Sequence, residues 1–146
     1  MSKAFTKEDD EAAPEPMRKR GVPVPELNLV TAAGLEAARA ELDRLGREQG
    51  DPDRIAELTA HLATAQVVEP TDRHEVGIGA TVTLEAESGK RTIYRIVGAI
   101  EADAKRGWVS WQSPLAEALH GARVGDSVVL PNGDEVEVVA IAYPRD

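Results

Sequence analysis

From Thr31 the apolar positions recur at helical spacing. Leu35, Ala38, Leu42 and Leu45 fall at intervals of three, four and three, and Thr31 is placed to cap the helix they define. Gly46 to Gly50 interrupts the pattern. A second helix is predicted from Asp51 as N-cap, with Pro52 at the first helical position and Asp53 where a negative charge suits the helix dipole. Its stripe, Ile55, Leu58, Leu62 and Ala65, has the same spacing. Two matching narrow stripes joined by a short link predict an antiparallel hairpin with a coiled-coil-like seam. Each arm of about 15 residues is roughly 22 Å long at 1.5 Å per residue.

Beyond Pro70 the period changes to two. Thr81 to Glu87 alternates, Ser88-Gly89 supplies a turn, and alternation resumes over Arg91 to Ile100. Trp108 to Trp111 reads as a short strand, Val124-Gly125-Asp126 turns the chain into Ser127 to Leu130, and Pro131-Asn132-Gly133-Asp134 is a hairpin signal leading to Glu135–Tyr143. Between these strands lies a stub of helix, with Ser113 as N-cap, Pro114 at the first helical position and Gly121 as a left-handed stop. Leu115, Ala118 and Leu119 form its apolar face, with Glu117 and His120 pointing elsewhere. So short a helix must lie on the strands around it. The predicted class is α+β: a short antiparallel helical hairpin followed by a mostly antiparallel sheet carrying one short helix. The link Glu69 to Glu75 has no pattern that orients one part against the other.

Residues 1–29 are polar and broken by Pro14, Pro16, Pro23 and Pro25. They read as a disordered charged tail, with an acidic run, Glu8-Asp9-Asp10-Glu11, followed by a basic one, Arg18-Lys19-Arg20. Such a tail is either an electrostatic arm for a partner or a solubilising extension. The predicted organisation is therefore tail 1–29, hairpin 30–69 and sheet domain 76–146.

A formal net charge of −9 argues against affinity driven by phosphate neutralisation, so direct sequence-specific nucleic-acid binding is not expected. A chain without cysteine has no disulfides, zinc thiolates or thiol nucleophiles. No apolar run approaches a membrane span and the N-terminus lacks a signal-peptide core, which gives the expectation of a cytoplasmic monomer with no membrane partner.

Catalytic constellations are scarce. His61, His74 and His120 are scattered without metal-ligand spacing and read as surface residues. Ser113 has no base near it in sequence, and its capping role accounts for it. Gly77-Ile78-Gly79 is too short, and has no following helix, to be a phosphate loop. One acidic cluster, Glu48, Asp51 and Asp53, falls at the hairpin tip. Carboxylates there could hold a hard cation such as Mg²⁺, while capping by Asp51 and dipole complement by Asp53 explain two of the three without a metal. No metal or other cofactor is expected.

At Gly79-Ala80-Thr81-Val82-Thr83-Leu84, Thr92-Ile93-Tyr94-Arg95-Ile96-Val97-Gly98, Glu101-Ala102-Asp103, Ser113-Pro114-Leu115-Ala116-Glu117-Ala118-Leu119, Val124-Gly125-Asp126 and Val136 to Tyr143 the sequence resembles the Gre-type transcript cleavage factors of bacterial RNA polymerase. Leu29 to Leu35, Arg54 to Leu58 and Ala65 to Val68 resemble the family's helical arm. The resemblance implies an FKBP-like C-terminal domain that docks on the rim of the polymerase secondary channel. It also implies a coiled coil that threads into the channel and carries an acidic tip motif, Asp-x-x-Glu-Asn, which helps hold a second Mg²⁺ during RNA hydrolysis.

The departure falls at the tip. Between Leu45 and Arg54 the chain has only a short loop where the family has the distal arm, and the motif is absent. Each missing turn removes about 5.4 Å of reach, whereas metal ligation tolerates errors of about 0.2 Å. The resemblance thus implies docking on RNA polymerase through Ser113, Pro114, Leu115, Ala118 and Leu119, as a non-enzymatic elongation regulator without cleavage stimulation. Two alternatives stand beside it. One is an active cleavage factor using Glu48, Asp51 and Asp53; the other is an FKBP-like peptidyl-prolyl isomerase or other protein-binding module, disfavoured by a chain with five aromatic residues.

Overall fold

The computed structural model describes residues 21–144. Its elements run β1 (Leu29–Val30), α1 (Ala32–Arg47), α2 (Pro52–Thr64), β2 (Gln66–Val67), β3 (Thr81–Ala86), β4 (Arg91–Val97), β5 (Trp108–Ser110), α3 (Pro114–Leu119), β6 (Ser127–Val129) and β7 (Glu135–Ala142), with 3₁₀ turns at Ala99–Glu101 and Ala104–Arg106. The α+β class and the order of hairpin before sheet are as expected.

Both arm helices start where local chemistry directs. The Thr31 hydroxyl accepts the Gly34 N–H at 2.9 Å, and the Asp51 carboxylate accepts the Asp53 N–H at 2.9 Å with Pro52 behind it. Arg44 and Arg47 occupy the last turn of α1, where cations suit the dipole. Between the helices Ala38 and Leu58 are buried, flanked by Leu42, Leu45 and Leu62. Arg54 crosses from α2 to α1 in a fork, its Nε and Nη2 donating to Glu41 at 2.8 and 2.9 Å, while Nη1 donates to Glu57 at 2.8 Å. These hydrogen bonds, led by Glu41 and opposed by burial, raise the guanidinium pKa further.

The larger sheet has the order β5-β4-β3-β7-β6, antiparallel except for the parallel β4–β5 pair. Val82 and Leu84 of β3, Ile96 of β4, and Val136 and Val138 of β7 point to one face, which Ala116 and Leu119 of α3 cover. A bulge at Thr83/Leu84 in the β3–β7 ladder adjusts the register there. The strand expected over Arg91 to Ile100 ends at Val97. Beyond it the chain tightens into a 3₁₀ turn that inserts Ile100 between Ala38 and Leu58 at the base of the hairpin.

That turn also carries the clasp between the two parts. Glu101 Oε2 accepts the backbone N–H of Thr31 at 3.0 Å and of Gly98 at 2.8 Å, and Oε1 accepts the Thr31 hydroxyl at 2.5 Å. The close approach requires glycine at two positions. A Cβ on Gly34 would stand 2.0 Å from Glu101 Cδ, and one on Gly98 would stand 2.5 Å from the Leu29 carbonyl oxygen. A second tie is the parallel β1–β2 pair, which joins the chain entering α1 to the chain leaving α2. A third fixes the link 69–75: Arg123 Nη2 donates to Asp72 at 2.8 Å and to Glu75 at 3.1 Å, and the Tyr143 hydroxyl donates to the Glu75 carbonyl at 2.6 Å.

Residues 1–20 of the expected tail lie outside the described residues. For 21–29 the expectation of disorder is corrected: Val22 and Asn28 are hydrogen-bonded along α2 and Asn28 is fully buried. His61 is likewise not a surface residue. It is 1% exposed, and its Nε2 donates to the Val22 carbonyl at 2.9 Å, so the strap at 22–28 is what buries it.

Replacing Glu101 by Ala leaves the Thr31 and Gly98 donors without their acceptor and is expected to cost about 2–3 kcal/mol in urea unfolding, with an unchanged m-value. Burial pushes the Tyr143 hydroxyl above the ordinary phenol value of about 10. The folded state therefore binds this proton more tightly than the unfolded chain. Its contribution is complete below about 10 and is lost as pH rises through the raised value, and Tyr143→Phe is expected to remove that part of the alkaline decline in stability.

Candidate functional site

The short helix α3 is built as its sequence directs. The Ser113 hydroxyl accepts the Ala116 N–H at 3.2 Å, Pro114 fills the first helical position, and Gly121, at φ +80°, ends the run. Gly121 N–H then donates to the Val76 carbonyl, and Val76 N–H to the Ala122 carbonyl, both at 2.9 Å, which sews the helix to the start of the sheet domain.

Burial divides the five residues expected to contact a partner. Leu119 is 0% exposed and belongs to the core, so its place in the contact set is corrected. With Ala116, 2% exposed and three positions earlier, it forms the face that rests on the sheet. A helix this short is held only by that face, and its largest aliphatic residue therefore points inward. Leu115 is half-buried against the core, Ala118 and Ser113 are half-exposed, and Pro114 is open to solvent together with Glu117 and His120. The outward surface is thus Pro114, Glu117 and His120 with the edges of Leu115 and Ala118.

A groove of about 330 Å³ borders this helix, lined by Ile78, Ile96, Trp111, Ala116, Glu117 and His120 among others. The Trp111 indole N–H is buried and has no acceptor among the described residues. On the far side of the sheet Trp108 lies under two cations, with the Arg95 and Arg106 guanidiniums 5.1 and 4.9 Å from its ring centroid, beside a cavity of about 410 Å³ between α1 and the sheet. Sequence reading missed both features. Their one linear signal is that the chain's two tryptophans stand at the start of a single three-residue strand and just after its end.

At the arm tip the link between helices is Glu48 to Asp51. Glu48 caps α1, its N–H donating to the Arg44 carbonyl at 3.0 Å and its carboxylate 3.4 Å from the Arg44 guanidinium. Gln49 turns the chain at φ +51°, and Gly50 N–H donates to the Leu45 carbonyl at 2.8 Å. Asp51 caps α2, and Asp53 is exposed in its first turn. Two of the three acids thus serve the helix ends. Among the described residues no group of three or more His, Cys, Asp or Glu side chains is placed to hold a metal ion, and no helix is long and apolar enough to cross a membrane.

Residues 70–143, which include the whole of the larger sheet and α3, match the family model "Transcription elongation factor, GreA/GreB, C-term". The chain belongs to the GreA/GreB family. It is 46% identical over 99 residues to the transcription elongation factor GreA of Anaeromyxobacter sp. (strain K), a match spanning 64% of this chain and 60% of that protein's length. To the GreA of Alkalilimnicola ehrlichii it is 37% identical over 152 residues, spanning 78% of this chain and 96% of that protein. An alignment of that length exceeds the whole 146-residue chain, so the relative carries positions with no counterpart in it. Among solved structures it is similar to GreA factor homolog 1 (Gfh1) of Thermus thermophilus, at 29% identity and a TM-score of 0.44, covering 79% of this chain and 98% of that one.

Substituting Leu119 by Ala is expected to cost about 2–5 kcal/mol, because the cavity opens in the core under α3. Glu117→Ala on the outer face is expected to stay within about 0.5 kcal/mol. Thermal unfolding of the two variants side by side separates the inward face from the outward one.

Proposed function

We propose that this Gre-family chain binds RNA polymerase at the secondary channel and regulates elongation without stimulating transcript cleavage, and that it is not itself an enzyme. The observation that carries the reading is the arm tip. It is a four-residue link, Glu48 to Asp51, in which Glu48 caps α1 by its backbone N–H with its carboxylate 3.4 Å from Arg44, and the Asp51 carboxylate caps α2, whose first turn holds Asp53. Assisting a polymerase-held Mg²⁺ requires carboxylates placed to about 0.2 Å, and three acids divided between an Arg44 pair, a helix cap and the first turn of α2 at the end of a short arm do not supply them. Docking makes no such demand. It needs an exposed, rigid surface, which Pro114, Glu117 and His120 provide on a helix fixed from beneath by Ala116 and Leu119. The acidic surface suits a basic channel entrance and acts more on the rate of association than on affinity.

The test is co-purification with core RNA polymerase followed by a cleavage assay on stalled complexes. The wild-type protein is expected to bind and leave cleavage unaccelerated, and Pro114→Ala/Glu117→Lys to weaken binding about tenfold or more, equivalent to about 1.4 kcal/mol. Stimulated cleavage that disappears in Glu48→Gln/Asp51→Asn/Asp53→Asn would establish the active-factor alternative instead. Absence of binding, with turnover in a proline-peptide isomerisation assay, would establish the isomerase.

A further inference from the structure

The cavity of about 410 Å³ at the base of the arm belongs neither to the outward surface of α3 nor to the tip. One side of it is α1, where Ala33, Gly34, Ala37 and Ala38 leave room because none carries more than a methyl group. Leu58 and Ile100 add apolar surface. The other side comes from the sheet domain. Arg95 of β4 stands in register with Trp108 of β5, and because the neighbouring Ile96 enters the core, Arg95 emerges on the opposite face, toward the arm. Arg106, at the end of the 3₁₀ turn Ala104–Arg106, reaches the same ring. With guanidiniums 5.1 and 4.9 Å from the Trp108 centroid, two like charges are held at one ring and border one enclosed space. In a chain of formal net charge −9 that is a local reversal of sign.

We propose that this cavity binds a small organic phosphate of the size of a nucleoside monophosphate, its phosphate on Arg95 and Arg106 and its organic body against Ala37, Leu58 and Ile100. The acids that line the cavity are engaged. Glu41 is gripped by the Arg54 fork, and Glu101 accepts from Thr31 and Gly98. Arg106 also meets Asp103, which lies outside the cavity, at 3.6 Å. A guanidinium carries several N–H donors in one plane, so each arginine can hold an anion beside its other contacts. Stacking on Trp108 restrains the flat face of the group and leaves its edge, the part that matches phosphate oxygens in pairs. The volume lies in the range of small-molecule sites and is far more than a bare phosphate fills, and the aliphatic lining suits an uncharged body. A ligand so placed touches α1, β4 and β5 together, so its binding braces the arm against the sheet domain. The site is complete in this chain and does not depend on the polymerase-binding reading.

The experiment is titration calorimetry on the full-length protein with AMP and GMP, with inorganic phosphate and adenosine as the two halves of the ligand, and thermal unfolding alongside. One equivalent of a mononucleotide is expected to bind about tenfold or more tighter than inorganic phosphate, with no measurable heat from adenosine, and to raise the unfolding midpoint. Two substitutions at exposed positions test the place: Arg106→Gln removes a charge, and Ala37→Phe fills the cavity from α1 with every charge kept. Each is expected to weaken binding about tenfold or more while leaving the ligand-free midpoint unchanged. Failure of both mononucleotides to bind, or binding that survives either substitution, would overturn the proposal. Inorganic phosphate bound as tightly as the nucleotides would overturn the assignment of an organic ligand and leave a bare anion site.

Discussion

One carboxylate holds the molecule's two parts in register. Glu101, on a single 3₁₀ turn after β4, accepts the backbone N–H and hydroxyl of Thr31 and the backbone N–H of Gly98. Thr31 in turn caps α1. The first turn of the arm, the entry strand and the exit of β4 therefore converge on one side chain, and Ile100 beside it fills the base of the hairpin core. Charge-assisted hydrogen bonds of this kind are among the stronger polar interactions available, and leaving their donors unpaired is costlier still. Gly34 and Gly98 are the steric condition for it, since any side chain at either position would occupy the carboxylate's place or the backbone beside it.

Around that clasp the two halves are held by different means. The sheet domain has a continuous aliphatic core, from Val76 through Leu84 and Ile96 to Val138, closed by α3. The arm's apolar cluster is thinner among the described residues, with Ala38 and Leu58 buried together with Ile100 from the turn after β4, and polar bridges supplement it: the Arg54 fork to Glu41 and Glu57, and the strap through Val22, His61 and Asn28. A thin apolar seam supplemented by hydrogen bonds is what a 13-residue helix packed on a 16-residue one can supply.

What was legible in the sequence was local. Thr31, Asp51 and Ser113 announce helix starts because a cap bonds its own next turn, and Asn132-Gly133 announces a hairpin for the same reason. The alternation of Val82 and Leu84 was readable because the sheet packs on one face there. What required contacts between distant segments was not. His61 looks like a solvent-facing residue until Val22, 39 positions away, covers it, and Glu101 carries no sign of its role until Thr31, 70 positions away, arrives. The apolar face of α3 was legible only in part: of Leu115, Ala118 and Leu119 it is Leu119, the residue with most area to hide in so short a helix, that goes fully under, beside Ala116 rather than Ala118, and Pro114, Glu117 and His120 are left outside. The tip was legible by composition, since no fold could create an acidic motif that the chain does not contain.

The parallel pair of Leu29-Val30 with Gln66-Val67 gives the arm two feet set side by side. A projection standing on one strand can swivel about a few backbone bonds, whereas one whose entry and exit strands are stitched together can only bend. In mechanical terms the hairpin is a braced strut, with its brace at the foot and its Arg54 cross-tie partway up. Any torque on the sheet domain reaches the far end with little lost in the joint, so the direction in which the arm points follows the orientation of the sheet domain.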